Sequence, residues 1–286
     1  MKAEYREDIC AGWDQVFSID EPLYETKTDH QHLIIFKNRY CGRVLALDGV
    51  VQTTEADEFI YHEMMAHVPI LAHGGVRRVL IIGGGDGGLL REVLRHREIQ
   101  RVVQVEIDLS VIDLCRRYLP NHSQGAFDDP RVAVVIDDGM HFLQHTDARF
   151  DVILTDSTDP EGPAEVLFSE RYYAACRRCL APGGILVTQN GVAFLQLDEV
   201  RMSATYFSRL FRDWHFFNAA VPTYVGGTMT FGWASDNPHL RQIDGETLGA
   251  RFARSGITAR YYTPELHRAA FALPQYILDA IGKPKG

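Results

Sequence analysis

The sequence predicts an α/β protein in which a small N-terminal β domain precedes a doubly wound, parallel sheet. Two observations lead to this fold class. Residues 1–60 contain short β-rich segments, such as HLIIFKN at 32–38, separated by turn signals that include Asp48-Gly49. From residue 76 onward, apolar segments typical of buried strands alternate with segments of helical periodicity. We therefore place a boundary near residues 55–75 and expect domains at 1–60 and 61–286.

The alternation can be followed element by element. A first helix is predicted in EADEFIYHEMMAHVPIL, at 55–71. Strands are then expected in VRRVLIIGGG, RVVQVEID, RVAVVIDD, FDVILTD, GILVTQN, DWHFFNAAVP and MTFGWAS. Helices are expected between them in GGLLREVLRH, LSVIDLCRRYL, residues 169–181 and residues near 196–211. The tail, 236–286, adds a further helix.

Composition and charge narrow the class of protein. The chain has 286 residues and a formal net charge of −9, with 46% hydrophobic residues. It contains no apolar run of roughly 18 residues and no apolar signal segment at its N-terminus, so we expect a cytoplasmic protein without a membrane partner. It also lacks a basic stretch that would indicate nucleic-acid binding. The mild acidity is compatible with a cationic ligand, although it is equally common in proteins that are simply soluble.

A glycine-rich loop provides the first candidate binding site. Gly83, Gly85 and Gly88 form a G-x-G-x-x-G pattern between a predicted strand and a predicted helix. Glycines there permit a tight turn and a close approach of the backbone to a ligand. Glu106 ends the next strand, where a carboxylate can accept hydrogen bonds from ribose hydroxyls. Together these features predict a nucleoside site.

Asp86 indicates which nucleoside the loop would accept. A carboxylate beside a pyrophosphate would be repulsive, whereas the same group beside a cation would be attractive. Asp138, in Asp137-Asp138-Gly139 at the end of the third strand, could read an adenine amino group. The pattern therefore favours an S-adenosylmethionine-type ligand over NAD, and the decarboxylated compound over the intact one, whose carboxylate Asp86 would repel. The alternative for Asp86 is an ordinary helix N-terminal residue.

The segment LTDSTDP, at 154–160, predicts the second half of the site. It ends an apolar strand with Asp156 and Asp159, which should face the same crevice as Asp86 because ligands bind at the carboxyl ends of such strands. A metal site is disfavoured: no histidine adjoins the loop, and His62 and His67 are five residues apart and do not share a helix face. A cationic diamine fits better, with Asp156 as general base. Tyr61 could orient the attacking nitrogen, or it could be an aromatic residue that packs at the domain boundary.

The residues at this point resemble a known family. The segments GRVLALDGVVQTTEADEFIYHEMMAHVP, VLIIGGGDGGLLREVLRH, DSTDPEGPAEVLF and RYYTPELHRAAFALPQY are similar to those of spermidine synthases, the polyamine aminopropyltransferases of the bacterial putrescine-using type. The resemblance covers almost the whole chain. It implies a methyltransferase-like, Rossmann-type sheet and assembly as a homodimer or homotetramer. It also implies transfer of an aminopropyl group from decarboxylated S-adenosylmethionine, a co-substrate, to putrescine, which gives spermidine and 5′-methylthioadenosine. Because a neutral sulfide leaves, the reaction requires no metal or other cofactor.

The resemblance also implies roles for individual residues. On the donor side these are Gln31, Gly83, Gly85, Asp86, Glu106, Asp138, Gly139 and Pro163. On the diamine side they are Gln52, His62, Asp86, Asp156, Ser157, Thr158, Asp159 and Tyr224. Asp156 is the expected proton acceptor, with Tyr61 beside it, and Gly162 and Pro163 belong to a loop that covers the ligands. Ser157 stands where some relatives carry cysteine.

Three alternatives stay open at this stage. The acceptor could be agmatine, cadaverine or spermidine rather than putrescine. The protein could instead be a putrescine N-methyltransferase that uses intact S-adenosylmethionine. A polyamine-binding protein without catalytic activity is the alternative from a different class.

Overall fold

The N-terminal part of the chain forms two small antiparallel sheets. The structure, a computed structural model, describes residues 3–159 and 162–282, apart from the side chain of Pro163. Strands β1 (Glu4–Cys10) and β2 (Trp13–Ser18) form a hairpin. Four further strands form a sheet in chain order: β3 (Glu21–Lys27), β4 (His32–Asn38), β5 (Gly42–Leu47) and β6 (Val50–Thr54).

A seven-stranded sheet dominates the rest of the molecule. Its strands are β7 (Arg78–Gly83), β8 (Arg101–Glu106), β9 (Val132–Ile136), β10 (Phe150–Asp156), β11 (Leu180–Val192), β12 (Asp213–Ala219) and β13 (Met229–Ser235). They lie in the order β12-β13-β11-β10-β7-β8-β9. The strand order therefore reverses between β10 and β7, which is where open α/β sheets form a ligand-binding crevice.

Helices connect the strands and cover both faces of this sheet. They are α1 (Glu58–His73), α2 (Gly88–Leu94), α3 (Leu109–Tyr118), α4 (Pro120–Ser123), α5 (Gly139–His145), α6 (Glu170–Cys179), α7 (Leu197–Leu210), α8 (Gly245–Ser255), α9 (Pro264–Ala270) and α10 (Gln275–Ala280). Short 3₁₀ turns occur at Ala126–Asp128 and Gly162–Phe168.

Successive residues of the central strands supply two separate hydrophobic cores. Val79 and Ile81 of β7 pack with helices α1 and α2, whereas Leu80 and Ile82 pack with helices α5, α6 and α7. This division follows from the two-residue period of a strand that is buried on both faces. The fold class predicted from the sequence, a small β domain followed by a doubly wound α/β sheet, is confirmed. The boundary between residues 60 and 61 stays a prediction.

One strand departs from the predicted parallel arrangement. Strand β13 is antiparallel to both β11 and β12. Only residues 220–228 separate β12 from β13, and a parallel crossover needs a connection of about a dozen residues or more. The short connection therefore requires the chain to return in the opposite direction.

The N-terminal sheet docks on helix α3 through an apolar contact. Leu33, Ile35, Leu45 and Leu47 form one buried cluster with Val111, Cys115 and Leu119. This contact brings the β3–β4 and β5–β6 connections over the carboxyl ends of the large sheet. Within the described residues, no helix is long and apolar enough to span a bilayer.

The C-terminal segment contains α8, α9 and α10, where the sequence predicted one helix. Its attachment depends on Glu63 of α1, which is 1% exposed. The Glu63 carboxylate accepts hydrogen bonds from the backbone N–H groups of Arg260, Tyr261 and Tyr262, each at 2.8 Å. A carboxylate that receives three buried N–H groups satisfies donors that no helix or strand would otherwise pair.

We expect Glu63→Gln to lower the free energy of unfolding by about 3 kcal/mol, because the amide removes the charged acceptor and leaves buried N–H groups unsatisfied. Urea denaturation followed by circular dichroism measures this effect. Glu246→Gln, the same change at an exposed position of α8, is the matched control and should leave the midpoint unchanged. An unchanged midpoint in Glu63→Gln would contradict the role assigned to this carboxylate.

Candidate active site

A cleft of about 590 Å³ lies at the carboxyl ends of β7, β8, β9 and β10, beneath the N-terminal sheet. Fourteen of the residues singled out from the sequence line it: Gln31, Gln52, Tyr61, Gly83, Gly85, Asp86, Glu106, Asp138, Gly139, Asp156, Ser157, Thr158, Asp159 and Tyr224. His62 lines a small adjoining cavity of about 30 Å³ instead. The side chain of Pro163 lies outside the described residues. The structure thus brings together nearly all of the predicted site, although contact with a ligand stays a prediction.

The glycine loop is held against the loop that carries Asp156. Gly83 has a positive φ of 83°, and a Cβ atom there would lie 2.1 Å from the carbonyl oxygen of Asp156. The N–H of Gly84 donates to that same oxygen at 2.9 Å. From behind, the Gln104 side-chain amide donates to the carbonyls of Gly83 and Gly84. The two halves of the site are therefore one packed unit.

Glu106, the last residue of β8, lines the cleft beside the glycine loop. Burial raises the pKa of Glu106 to about 7, against the lowering effect of backbone N–H groups such as that of Asp108. Asp108, which the sequence reasoning missed, accepts hydrogen bonds from Thr28 Oγ1 at 2.7 Å and from Gln31 Nε2 at 3.2 Å. It fixes Gln31 of the N-terminal domain beside Glu106. In the sequence, an aspartate immediately before a helix indicates only an N-cap, and Asp108 does cap α3.

The turn from β9 into α5 forms another part of the cleft. One oxygen of Asp138 accepts a hydrogen bond from the His141 N–H at 2.7 Å and caps α5. A Cβ atom on Gly139 would lie 2.5 Å from Ile82. The Gly162–Phe168 turn faces this part and contributes Ala164 and Leu167 to the lining.

Two carboxylates with opposite electrostatic behaviour meet at the other end of the cleft. Burial, assisted by the nearby Asp86, raises the pKa of Asp156 to about 6. Burial also opposes ionisation of Asp86, but the adjacent His62 ring lowers the pKa of Asp86 well below its usual range. The Tyr61 hydroxyl donates to Asp156 Oδ1 at 2.7 Å. At neutral pH this arrangement offers a permanent anion beside a carboxylate that can take up a proton.

Glu7, Asp156 and Asp159 line a further part of the cleft, here called the acidic channel. Gln189 donates to the Ser157 carbonyl and to Asp159 Oδ1, at 3.2 and 3.3 Å. Tyr224 donates through its hydroxyl to the Gln52 carbonyl at 2.5 Å. These contacts join residues of β6, β11 and the β12–β13 loop and hold this part of the cleft in shape.

Glu7 also lines this channel and was missed by the sequence reasoning. It is 7% exposed, and its carboxylate accepts from the Val51 N–H and from Gln15 Nε2. Burial and, to a smaller extent, the charge of Asp159 raise its pKa. The only sequence signal was the alternation of a strand, which shows that a residue faces inward but not that it faces a cleft.

The described part of the chain contains no group of three or more His, Cys, Asp or Glu side chains arranged to hold a metal ion. Residues 58–244 match the family model described as the spermine/spermidine synthase domain. The chain belongs to the spermine/spermidine synthase family. Residues 4–55 of this family member match a second model, described as the spermidine synthase tetramerisation domain. That match agrees with the expected assembly as a dimer or tetramer.

Individual relatives of this family member cover almost the whole chain. The polyamine aminopropyltransferase 1 of Pseudomonas aeruginosa is 64% identical over 98% of both chains. The polyamine aminopropyltransferase of Pectobacterium carotovorum is 59% identical with the same coverage. Among solved structures, a spermidine synthase in complex with the transition-state analogue AdoDATO has a TM-score of 0.93 and 35% identity, covering 98% of this chain and 95% of that chain. The spermidine synthase of Thermotoga maritima has a TM-score of 0.90 and 34% identity, covering 99% and 95%.

The family inferred from the sequence motifs is thus confirmed, and so is the prediction that the protein is an enzyme. The roles of single residues in the spermine/spermidine synthase site are a separate question. They stay predictions, and they are developed in the following proposal.

Proposed function

We propose that this protein transfers the aminopropyl group of decarboxylated S-adenosylmethionine to putrescine, which gives spermidine and 5′-methylthioadenosine. The observation that carries the proposal is the Asp86–Asp156 pair in the cleft at the carboxyl ends of the central strands. One of these carboxylates remains charged and can hold a cation, while the other can accept a proton near neutral pH. The names of the similar proteins support the same reaction class.

The donor would lie along β7, β8 and β9. Glu106 and Gln31 would bind the ribose and nearby polar groups, and Asp138 and Gly139 would contact the adenine. Asp86 would bind the ammonium of the aminopropyl chain by a charge-assisted hydrogen bond. The carboxylate of intact S-adenosylmethionine would be repelled there, which favours the decarboxylated donor.

The diamine would lie in the acidic channel. Its distal ammonium would face Asp159 and Glu7, whose charges are close enough to influence each other. Its reacting nitrogen would lie beside Asp156 and the Tyr61 hydroxyl, near Gln52, Ser157, Thr158 and Tyr224. Putrescine is a dication, and the carboxylates of Glu7, Asp156 and Asp159 that line the cleft would attract it, which supports a cationic diamine as the acceptor.

The reaction would then be a direct displacement. Asp156 first takes one proton from the bound ammonium. The resulting neutral nitrogen attacks the propyl carbon bonded to sulfur, the C–S bond breaks, and its electron pair neutralises the sulfonium to give a thioether, while the new secondary amine leaves as an ammonium. Because the buried Asp156 is a stronger base than an ordinary aspartate, it suits this role near neutral pH. Holding both reactants in one cleft supplies a further part of the acceleration.

Mass spectrometry of an incubation with decarboxylated S-adenosylmethionine and equal amounts of putrescine, cadaverine, agmatine and spermidine tests the proposal. The expected result is dominant spermidine, formed together with an equimolar amount of methylthioadenosine. Another aminopropylated amine would refute putrescine as the acceptor while retaining the chemistry. Methylated putrescine formed from intact S-adenosylmethionine, with no aminopropyl product, would overturn the donor assignment. Binding of both substrates without turnover would indicate a polyamine-binding protein.

At saturating decarboxylated S-adenosylmethionine, which would hold Glu106 (pKa about 7) in its bound form, the pH dependence of kcat/KM for putrescine should report Asp156. Below pH 8 the diamine is almost entirely a dication, so its own titration does not shape the acidic limb. Since the pKa of Asp156 is raised to about 6, its basic form is lost as the pH falls through that value. We expect kcat/KM to fall about tenfold per pH unit below pH 6 and to level off above pH 7. A profile that stays flat down to pH 4.5 would exclude Asp156 as the base.

A further inference from the structure

His62 is enclosed between two carboxylates beside the small cavity that adjoins the cleft. Its side chain is 3% exposed. Nδ1 lies 2.6 Å from Glu58 Oε2, one turn earlier on α1, and Nε2 lies 3.6 Å from Asp86 Oδ2. A ring with a carboxylate at each nitrogen is stabilised as an imidazolium, because both of its N–H groups then face an anion.

The glycine that opens α2 makes room for this ring. A Cβ atom on Gly88 would lie 2.2 Å from the His62 imidazole. The third glycine of the G-x-G-x-x-G motif is thus required by a side chain of the protein itself. The absence of a side chain at position 88 therefore lets the His62 ring lie beside Asp86.

Glu58 is in turn kept ionised by a row of alternating charges. Arg91 Nη2 lies 2.9 Å from Glu58 Oε2, and Arg91 Nε lies 2.9 Å from Glu92 Oε1. Arg95 then pairs with Glu92 at 2.7 Å. Burial opposes the charge on Glu58, but His62 and Arg91 together lower its pKa. The charges of this row alternate in sign along the order Asp86, His62, Glu58, Arg91, Glu92 and the partly exposed Arg95.

The other titratable groups near His62 do not cancel the effect of the two carboxylates that favour its protonated form. The ring of His122 on α4 lies 6.4 Å away, and burial lowers its pKa, which keeps it neutral. Tyr61 meets the His62 ring edge-on, and burial together with Asp156 keeps it protonated. Although burial by itself would lower the pKa of His62, the carboxylates of Asp86 and Glu58 raise it to about 10.

We propose that His62 is a positioning residue: a fixed cation, held by Glu58, that keeps Asp86 ionised and leaves Asp156 as the carboxylate that exchanges the proton. The inference rests on the proposed function and deepens it. The His62 ring lies 3.6 Å from Asp86 and lowers the pKa of that carboxyl well below its usual range. Burial still raises the pKa of Asp156, although the charge of His62 lowers it, so the two aspartates of one buried site differ.

The protonation state of His62 can be measured without turnover. In ¹⁵N-histidine-labelled protein, the His62 resonances, assigned by their loss in His62→Gln, should show both ring nitrogens protonated from pH 6 to pH 8.5. In Glu58→Gln the deprotonation midpoint should fall by at least about one pH unit, because one of the two supporting anions is gone. A neutral His62 ring at pH 7.5 in the native protein would overturn the proposal, whether or not the proposed reaction occurs.

The consequence for Asp156 is tested by pH profiles of kcat/KM. Removal of the cation in His62→Gln should shift the acidic limb upward by about one pH unit, so that kcat/KM below pH 5.5 is roughly tenfold lower than in the native enzyme, while the difference narrows above pH 8. His239→Gln, the same change on an exposed loop, should leave the profile unchanged. A loss by the same factor at every pH would indicate a structural role only and would refute the electrostatic one. Absence of aminopropyl transfer by the native enzyme would instead refute the proposed function.

Discussion

Replacing Asp156 by asparagine should lower kcat by roughly a thousandfold while donor affinity stays within about threefold of the native value. Asparagine has the same shape and can still accept the hydrogen bond from the Tyr61 hydroxyl, but it cannot take the proton that the attacking amine loses. Single-turnover kinetics measure the chemical step, and calorimetry with decarboxylated S-adenosylmethionine measures binding.

Asp198→Asn is a suitable control for Asp156→Asn. The Asp198 side chain is 93% exposed at the start of α7, so the same chemical change there should leave both kcat and affinity unaltered. If Asp156→Asn retained more than about a tenth of the native kcat, another group would have to be the base.

Replacing Asp86 by asparagine should weaken binding of decarboxylated S-adenosylmethionine by about a hundredfold, because the ammonium loses a buried, charged partner. Methylthioadenosine carries no ammonium, so its affinity should change by less than about threefold and serves as the internal control. Asparagine Oδ1 can still accept the Gly88 N–H, which Asp86 accepts at 2.6 Å, so the loop should keep its shape.

The same Asp86→Asn variant tests donor discrimination. The native enzyme should prefer the decarboxylated donor over intact S-adenosylmethionine, since Asp86 would repel the carboxylate of the latter. The variant should lose most of that preference in calorimetric titrations. Equal losses of affinity for decarboxylated S-adenosylmethionine and methylthioadenosine would show that the substitution damages the loop rather than a charge interaction.

The positions of Asp86, Glu106, Asp138 and Asp156 could be predicted from the sequence for one physical reason. Each follows an apolar strand, and parallel strands of one sheet end at the same edge. The prediction therefore needed only the strand pattern and the rule that ligands bind at the carboxyl ends of the strands in an open α/β sheet. The same reasoning placed the glycine loop at that edge.

Other features depend on contacts between segments that are far apart in sequence. The helical pattern around His62 does not reveal that its ring packs against Gly88 and lies 3.6 Å from Asp86. Gln189 and Asp108 act by holding other residues, and neither belongs to a motif. The short connection between β12 and β13 indicates an antiparallel β13. The alternation of strands and helices in the rest of the chain nevertheless led to the prediction of a parallel sheet. The three C-terminal helices are short, and their docking through Glu63 is a tertiary contact.

The bond from the Gly84 N–H to the Asp156 carbonyl has a consequence for synthesis of the protein on the ribosome. The glycine loop is translated some seventy residues before the strand that supports it. A nascent chain that ends before residue 150 has the complete loop sequence but lacks β10, against which Gly83 and Gly84 pack. The candidate site therefore becomes complete only after the segment with Asp156 has emerged from the exit tunnel. Unfinished chains have no completed cleft in which to bind a ligand.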